Sequence, residues 1–116
     1  MSKSSPAESV LLSKNGSSKG QIKIELGQLK KAASVIRSVN HKLRQNIIRL
    51  LEEHKRMTVT EIYVKLRLEQ SVASQHLAIL RRSGVVKTER DGKFIYYGLN
   101  KDRIGEVAGL VDELAK

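Results

Sequence analysis

The residues best equipped for recognition chemistry lie between Gln70 and Gly84. Ser71, Ser74, Gln75, Ala78 and Arg82 are spaced so that an α-helix collects them on one face. That face is short-chained and uncharged where it begins and basic where it ends, with Gln70 opening the stretch and Arg81-Arg82 closing it. A glutamine amide can pair with the N6 and N7 edge of adenine, and a serine hydroxyl can serve a base or a phosphate. An ordinary solvated face would carry more glutamate and lysine. This one is suited to lie flat against the floor of a DNA major groove.

Other elements must hold that face in place. Ala73, Leu77 and Leu80 provide the opposite, apolar face, and Arg81, Arg82 and Gly84 form a normal helix ending. Upstream, Thr58-Val59-Thr60-Glu61 matches a capping box and predicts a short helix ending near Leu66, with Ile62 and Leu66 turned to the core. Two short helices joined by Arg67-Leu68-Glu69 give a helix-turn-helix layout. A helix is expected from about Ile24 to Val39, with Leu26, Leu29, Ala33 and Ile36 in a narrow seam of the kind that pairs helices. Another is expected from about Lys42 to His54, with Leu43, Ile47, Leu50 and Leu51 on one face.

After Gly84 the period changes from 3.6 to 2. Val85 to Arg90 and Lys93 to Leu99 flank Asp91-Gly92, a two-residue hairpin signal. Arg90 and Lys93 would then project from the hairpin tip toward a minor groove or its phosphates; solubilising charge at an exposed turn is the plainer alternative. Tyr96 and Tyr97 alternate, one expected in the core and the other partly exposed. Lys101 to Lys116 reads as a closing helix with Ile104, Val107, Ala108, Val111 and Leu114 apolar. The expected fold is mainly α with a β-hairpin, in the order α-α-α-α-β-β-α. Residues 1–20, rich in serine and holding the only proline, are expected to be a disordered tail. Residues 21–116 are expected to form the single domain.

Composition narrows the function classes. The 116 residues carry 22 basic and 12 acidic side chains, a net charge of +10, and the pI is about 10.1. Such a footprint suits nucleic acid, although ribosomal and membrane-surface proteins share it. The segment from Lys65 to Lys93 carries net +4, whereas Lys101 to Lys116 carries net −1. There is no cysteine, which excludes disulfides, thiol redox chemistry and thiolate metal sites. No run near the N-terminus is apolar enough for a signal peptide or a membrane span, and a cytoplasmic location is expected.

In this order the residues are also familiar. Thr58-Val59, Glu61-Ile62, Leu66, Leu68, Gln70-Ser71, Ser74-Gln75-His76-Leu77, Leu80-Arg81, Ser83-Gly84-Val85-Val86, Arg90-Asp91-Gly92-Lys93 and Tyr96-Tyr97-Gly98-Leu99 closely resemble the arsenic-repressor (ArsR) family of bacterial transcriptional regulators. The resemblance runs from about Leu26 to Leu114. It implies a winged helix-turn-helix that binds double-stranded DNA as a homodimer on a palindromic operator, usually to repress. It also implies a dimer interface on the first and last helices, here Leu26, Leu29, Ala33, Ile36, Ile104, Val107, Val111 and Leu114. It brings His76 beside Gln70, Ser71, Ser74 and Gln75 as a candidate contact, although a helix-surface histidine needs no such role. Arg44, Arg49 and Arg82 are further candidates for phosphate contact, dipole compensation being the plainer role for Arg82.

Members of that family often respond to metals, but this chain lacks the familiar ligands. Glu61-Ile62-Tyr63-Val64 stands where a Cys-x-Cys pair would be. The last helix has Asp102, Glu106, Asp112 and Glu113 but no histidine, and His41, His54 and His76 lie on separate segments. No metal site or cofactor is therefore implied, and the inducer is left unknown. Two positions depart from the family pattern: Arg67 stands where glycine is common, with strain if φ is positive, and His41-Lys42 replaces Asp-Pro. A winged-helix module for protein–protein contact is the alternative reading, and it would want an acidic or apolar recognition face. An RNA module would want exposed aromatics, and no acid–base–nucleophile spacing or phosphate loop suggests an enzyme.

Overall fold

The computed structural model of the chain describes residues 9–12 and 22–115. Its elements are β1 (Ser9–Leu12), β2 (Ile22–Glu25), α1 (Leu26–Val39), α2 (Lys42–His54), β3 (Arg56–Met57), α3 (Val59–Leu66), α4 (Gln70–Arg82), β4 (Val86–Asp91), β5 (Phe94–Leu99) and α5 (Lys101–Ala115). The expected order of helices and hairpin is present, with three strands added to it. β3 pairs with β5, so the wing is a three-stranded sheet in the order β3-β5-β4.

The first two strands correct the expectation of a disordered tail over 1–20, because Ser9–Leu12 pairs antiparallel with Ile22–Glu25. Val10 stands opposite Ile24 and Leu12 opposite Ile22 in that register. β2 alternates isoleucine with charged residues, whereas β1 is the short apolar run Val10-Leu11-Leu12 after Ser9. The rest of 1–20, including Lys3, Lys14 and Lys19, lies outside the described residues. With Ile22–Glu25 in a strand, α1 begins at Leu26 rather than near Ile24.

Local chemistry sets the helix ends. His41 caps α2, its Nδ1 accepting the Leu43 N–H at 3.1 Å, so imidazole does the work that an aspartate carboxylate would do there. Thr58 and Glu61 form the expected capping box of α3, with the Glu61 N–H donating to the Thr58 hydroxyl and the Thr58 N–H to the Glu61 carboxylate. α3 and α4 end in the same left-handed motif. Gly84, at φ +86, donates to the Arg81 carbonyl, and Val85 reaches back to Leu80 at 2.9 Å. At the end of α3 the corresponding bonds are Arg67 to Val64 and Leu68 to Tyr63, but the left-handed residue is Arg67, at φ 56 and ψ 45.

That conformation strains any residue with a Cβ by about 1–2 kcal/mol. Arg67→Gly is therefore expected to stabilise the domain by about 0.5–1 kcal/mol after the entropy cost of glycine. Urea unfolding is the measurement, and a lower midpoint would show that Arg67 makes a compensating contact.

The core lies where α2, α3, α4 and the wing meet. Ile47, Leu51, Ile62, Leu77, Leu80, Val85 and Val86 are its largest fully buried side chains. Ala32 and Val35 attach α1 to it, and Val107 attaches α5. α1 therefore turns one face to the core and leaves Leu26 and Ile36 of the expected seam exposed. Leu29 and Ala33 are half-buried. On α5, Val111 and Leu114 are exposed. Val107 is buried in the chain's own core, and Ile104 is half-buried against it.

The hairpin is offset by one residue from the expected turn. Asp91 pairs with Phe94, so the two turn residues are Gly92 and Lys93. Gly92 has φ +65 and Lys93 is not among the positive-φ residues, the sign pattern of a type II′ turn, which wants glycine first.

Candidate nucleic-acid interface

α4 is fixed from below and open above. Ala73, Leu77 and Leu80 are wholly buried, so the helix can neither roll nor lift without exposing them. Gln70, Ser71, Ser74, Gln75 and Ala78 are exposed on the opposite side, as their spacing requires. No side chain caps the start of α4, and its first turn holds no acidic residue. The N-cap residue is Glu69, whose carboxylate makes no hydrogen bond to the leading N–H groups.

His76 does not join that open face. It is half-buried, and the Arg44 guanidinium donates to its Nδ1 at 3.2 Å. Its ring lies 4.7 Å from that of His41. Arg44 also donates through Nε to the Ser38 carbonyl. Half-buried Arg44, a residue expected at a phosphate, thus ties the end of α1 to α2 and α4. Arg49 is exposed, within reach of Asn46, and lines an apolar groove with Val35, Ile48, Ile104 and Ala108. The fold thus places Arg49 on the α1–α5 side, away from α4. Arg82 is exposed at the far end of α4.

The contact from Arg44 requires an unprotonated His76 Nδ1. Burial, then His41, then Arg44 hold the His76 pKa below the ordinary 6.5. A histidine depressed in the fold binds fewer protons there than in the unfolded chain. Stability is accordingly unaffected above about pH 7 and falls as pH drops through the unfolded value near 6.5. His76→Gln is expected to flatten the loss between about pH 7 and 5, as read from thermal midpoints; an unchanged slope would assign the loss to other groups.

The wing has an organiser that its own sequence does not show. Arg56, on β3, reaches across to Glu89 at 3.3 Å and Asp91 at 3.1 Å, and its guanidinium lies 4.1 Å from the Tyr96 ring centroid. These exposed pairs are individually weak. Their effect is to offset the two acids of the hairpin, leaving Lys87, Arg90 and Lys93 as its exposed cations. Lys93 occupies the turn itself, over the Phe94 ring. Arg90 is exposed, and its Nε donates back to the Gly92 carbonyl at 3.2 Å. Phe94 and Ile95 are each 49% exposed beside them. Sequence marks neither for DNA, although adjacent apolar residues on a hairpin cannot share one face. Tyr96 and Tyr97 are both half-buried, Tyr97 against the core.

Among the described residues no three of His, Cys, Asp and Glu gather as metal ligands, and no helix is long and apolar enough to cross a membrane.

Comparison with known proteins follows the same lines. Residues 41–88 match the family described as bacterial regulatory protein, arsR family. The HTH-type transcriptional regulator MJ1325 of Methanocaldococcus jannaschii is 37% identical over 84 residues, covering 72% of this chain and 94% of that protein. The transcriptional repressor PagR of Bacillus anthracis is 35% identical over 92 residues, covering 79% of this chain and 92% of that protein. The chain belongs to the arsR family. The crystal structure of PagR superposes on 74% of this arsR-family chain and 99% of its own, with a TM-score of 0.64. A homodimeric winged helix-turn-helix DNA-binding domain from Mycobacterium bovis, Mb0332, superposes with a TM-score of 0.63 at 27% identity, covering 77% of this chain and 82% of that one. The winged helix-turn-helix seen here is thus the architecture of its relatives.

Proposed function

We propose that this arsR-family chain binds a palindromic DNA operator as a cytoplasmic homodimer and represses transcription, acting as a regulator and not as an enzyme. The observation that carries the reading is the open, uncharged face of α4, with Gln70, Ser71, Ser74 and Gln75 exposed above a wholly buried Ala73-Leu77-Leu80 footing. Gln75 and the serines read base edges. Arg90 and Lys93 of the wing hold the adjacent backbone, with Phe94 and Ile95 against sugar or groove wall.

The partner covers the exposed apolar residues of the outer helices: Leu26 and Ile36 of α1, 37% and 47% exposed, and Val111 and Leu114 of α5, 44% and 46% exposed. Leu29 and Ala33 complete that seam. The homodimeric relative from Mycobacterium bovis supports the dimer, and the repressor PagR supports the sign of regulation.

Fluorescence anisotropy against the DNA upstream of the protein's own gene, at several salt concentrations, tests the reading. Affinity should exceed that for random duplex by about 10³-fold or more, and fall steeply with salt. Equal affinity for random duplex would reject a specific operator. Lys93→Ala should weaken both duplexes alike and reduce the salt slope by about 1 for each phosphate that the lysine neutralises.

A further inference from the structure

Three arginines from three helices, Arg37 of α1, Arg44 of α2 and Arg82 of α4, line one cavity of about 250 Å³, with Ser34, Ser38 and Ser83 as its other polar walls. The ion pairs that join Arg56 to Glu89 and Asp91, and Arg103 to Glu106, do not involve these three arginines. The counter-charge they meet is the partial negative end of α1 and of α4, in whose last turns Arg37 and Arg82 lie. Three full cations therefore leave the cavity net positive, and a bound anion is attracted.

The site is also organised before any ligand arrives. Arg44 is held by the Ser38 carbonyl at Nε and by His76 at Nη1, which leaves the two hydrogens of Nη2 and one of Nη1 as donors. Ser38 and Ser83 are 4% and 6% exposed. The Ser83 hydroxyl donates to that of Ser38 at 2.8 Å, fixing the wall where α1 meets the end of α4. Guanidinium groups match phosphate oxygens in geometry as well as charge.

We propose that this cavity binds a small phosphate-type oxyanion, inorganic phosphate or a phosphomonoester, separately from DNA. Separation follows from position. Arg82 closes α4 about 16 Å along the helix axis from Ser71, at ~1.5 Å per residue. Arg44 is turned inward by its two bonds, and Arg37 comes from α1, outside the helix-turn-helix.

The test is an amide NMR titration of the full chain with inorganic phosphate, at ionic strength held constant with chloride. Saturable shifts at Ser34, Ser38 and Ser83 are expected. Arg37→Gln and Arg82→Gln should each weaken phosphate binding by about tenfold or more, the worth of one charge-assisted hydrogen bond. Duplex affinity of Arg37→Gln, measured in chloride without phosphate, should stay within about twofold of the parent, as for a residue that does not touch DNA. Shifts that never saturate, or that persist unchanged in Arg37→Gln, would overturn the site. A fall in duplex affinity in Arg37→Gln as large as its fall in phosphate affinity would overturn the separation and return the cavity to the DNA surface.

Discussion

Gln75→Ala is expected to lower operator affinity by about 30-fold or more while leaving random duplex bound as before. One bidentate amide–adenine contact is worth about 1–3 kcal/mol of discrimination. A dimer makes the contact twice, so even the lower end gives about 2 kcal/mol, or ~30-fold. The substitution should not disturb the fold, because Gln75 is exposed and such surface changes usually stay within about 0.5 kcal/mol. Anisotropy on operator and random duplexes, with a urea midpoint alongside, separates the two effects. An equal loss on both duplexes would mean that Gln75 holds backbone and that base reading lies with Ser71 and Ser74.

Leu77→Ala should have the opposite profile. Leu77 is wholly buried and lies on the underside of the recognition helix, among Ile47, Ile62 and Leu80. Truncation removes transfer energy and leaves a cavity, a cost of about 3 kcal/mol. Against a total of about 5–15 kcal/mol for a domain of ordinary stability, that is a large fraction. The urea midpoint should fall with an unchanged m-value, and operator and random affinities should decline together with the folded fraction. A loss below about 1 kcal/mol would show that the core closes around the gap. The two variants thus distinguish the reading face of α4 from the face that positions it.

Sequence and structure agree most closely where a signal is local. The capping box at Thr58, the glycine stop at Gly84 and the change of period after it each depend on residues a few positions apart. α3 accordingly starts just after Thr58, α4 ends just before Gly84, and strands follow. Arg67 is marked only by the resemblance, in which glycine is common at its turn position, and the structure supplies its left-handed φ of 56. Agreement is weaker where two apolar patterns compete. α1 and α5 each carry more apolar residues than one face can hold. Periodicity marks the Leu26–Ile36 seam but not that Ala32 and Val35 would take the core side.

The sequence by itself therefore determined the helix-turn-helix, its open polar face and the family resemblance, because these rest on short-range periodicity, caps and motif order. Tertiary structure decided which cations face outward. Arg44 and His76 are 32 residues apart, Arg56 lies 33 and 35 residues from Glu89 and Asp91, and Ser38 and Ser83 are separated by 45. No periodicity encodes such pairs. A long side chain reads alike in sequence whether it reaches solvent or an internal carbonyl, and packing alone settles which. For that reason Arg44 is tied to the Ser38 carbonyl and to His76, and Arg56 is the clamp of the wing. The same packing draws Arg37 and Arg82 together with Arg44 around a cavity that the order of residues does not announce.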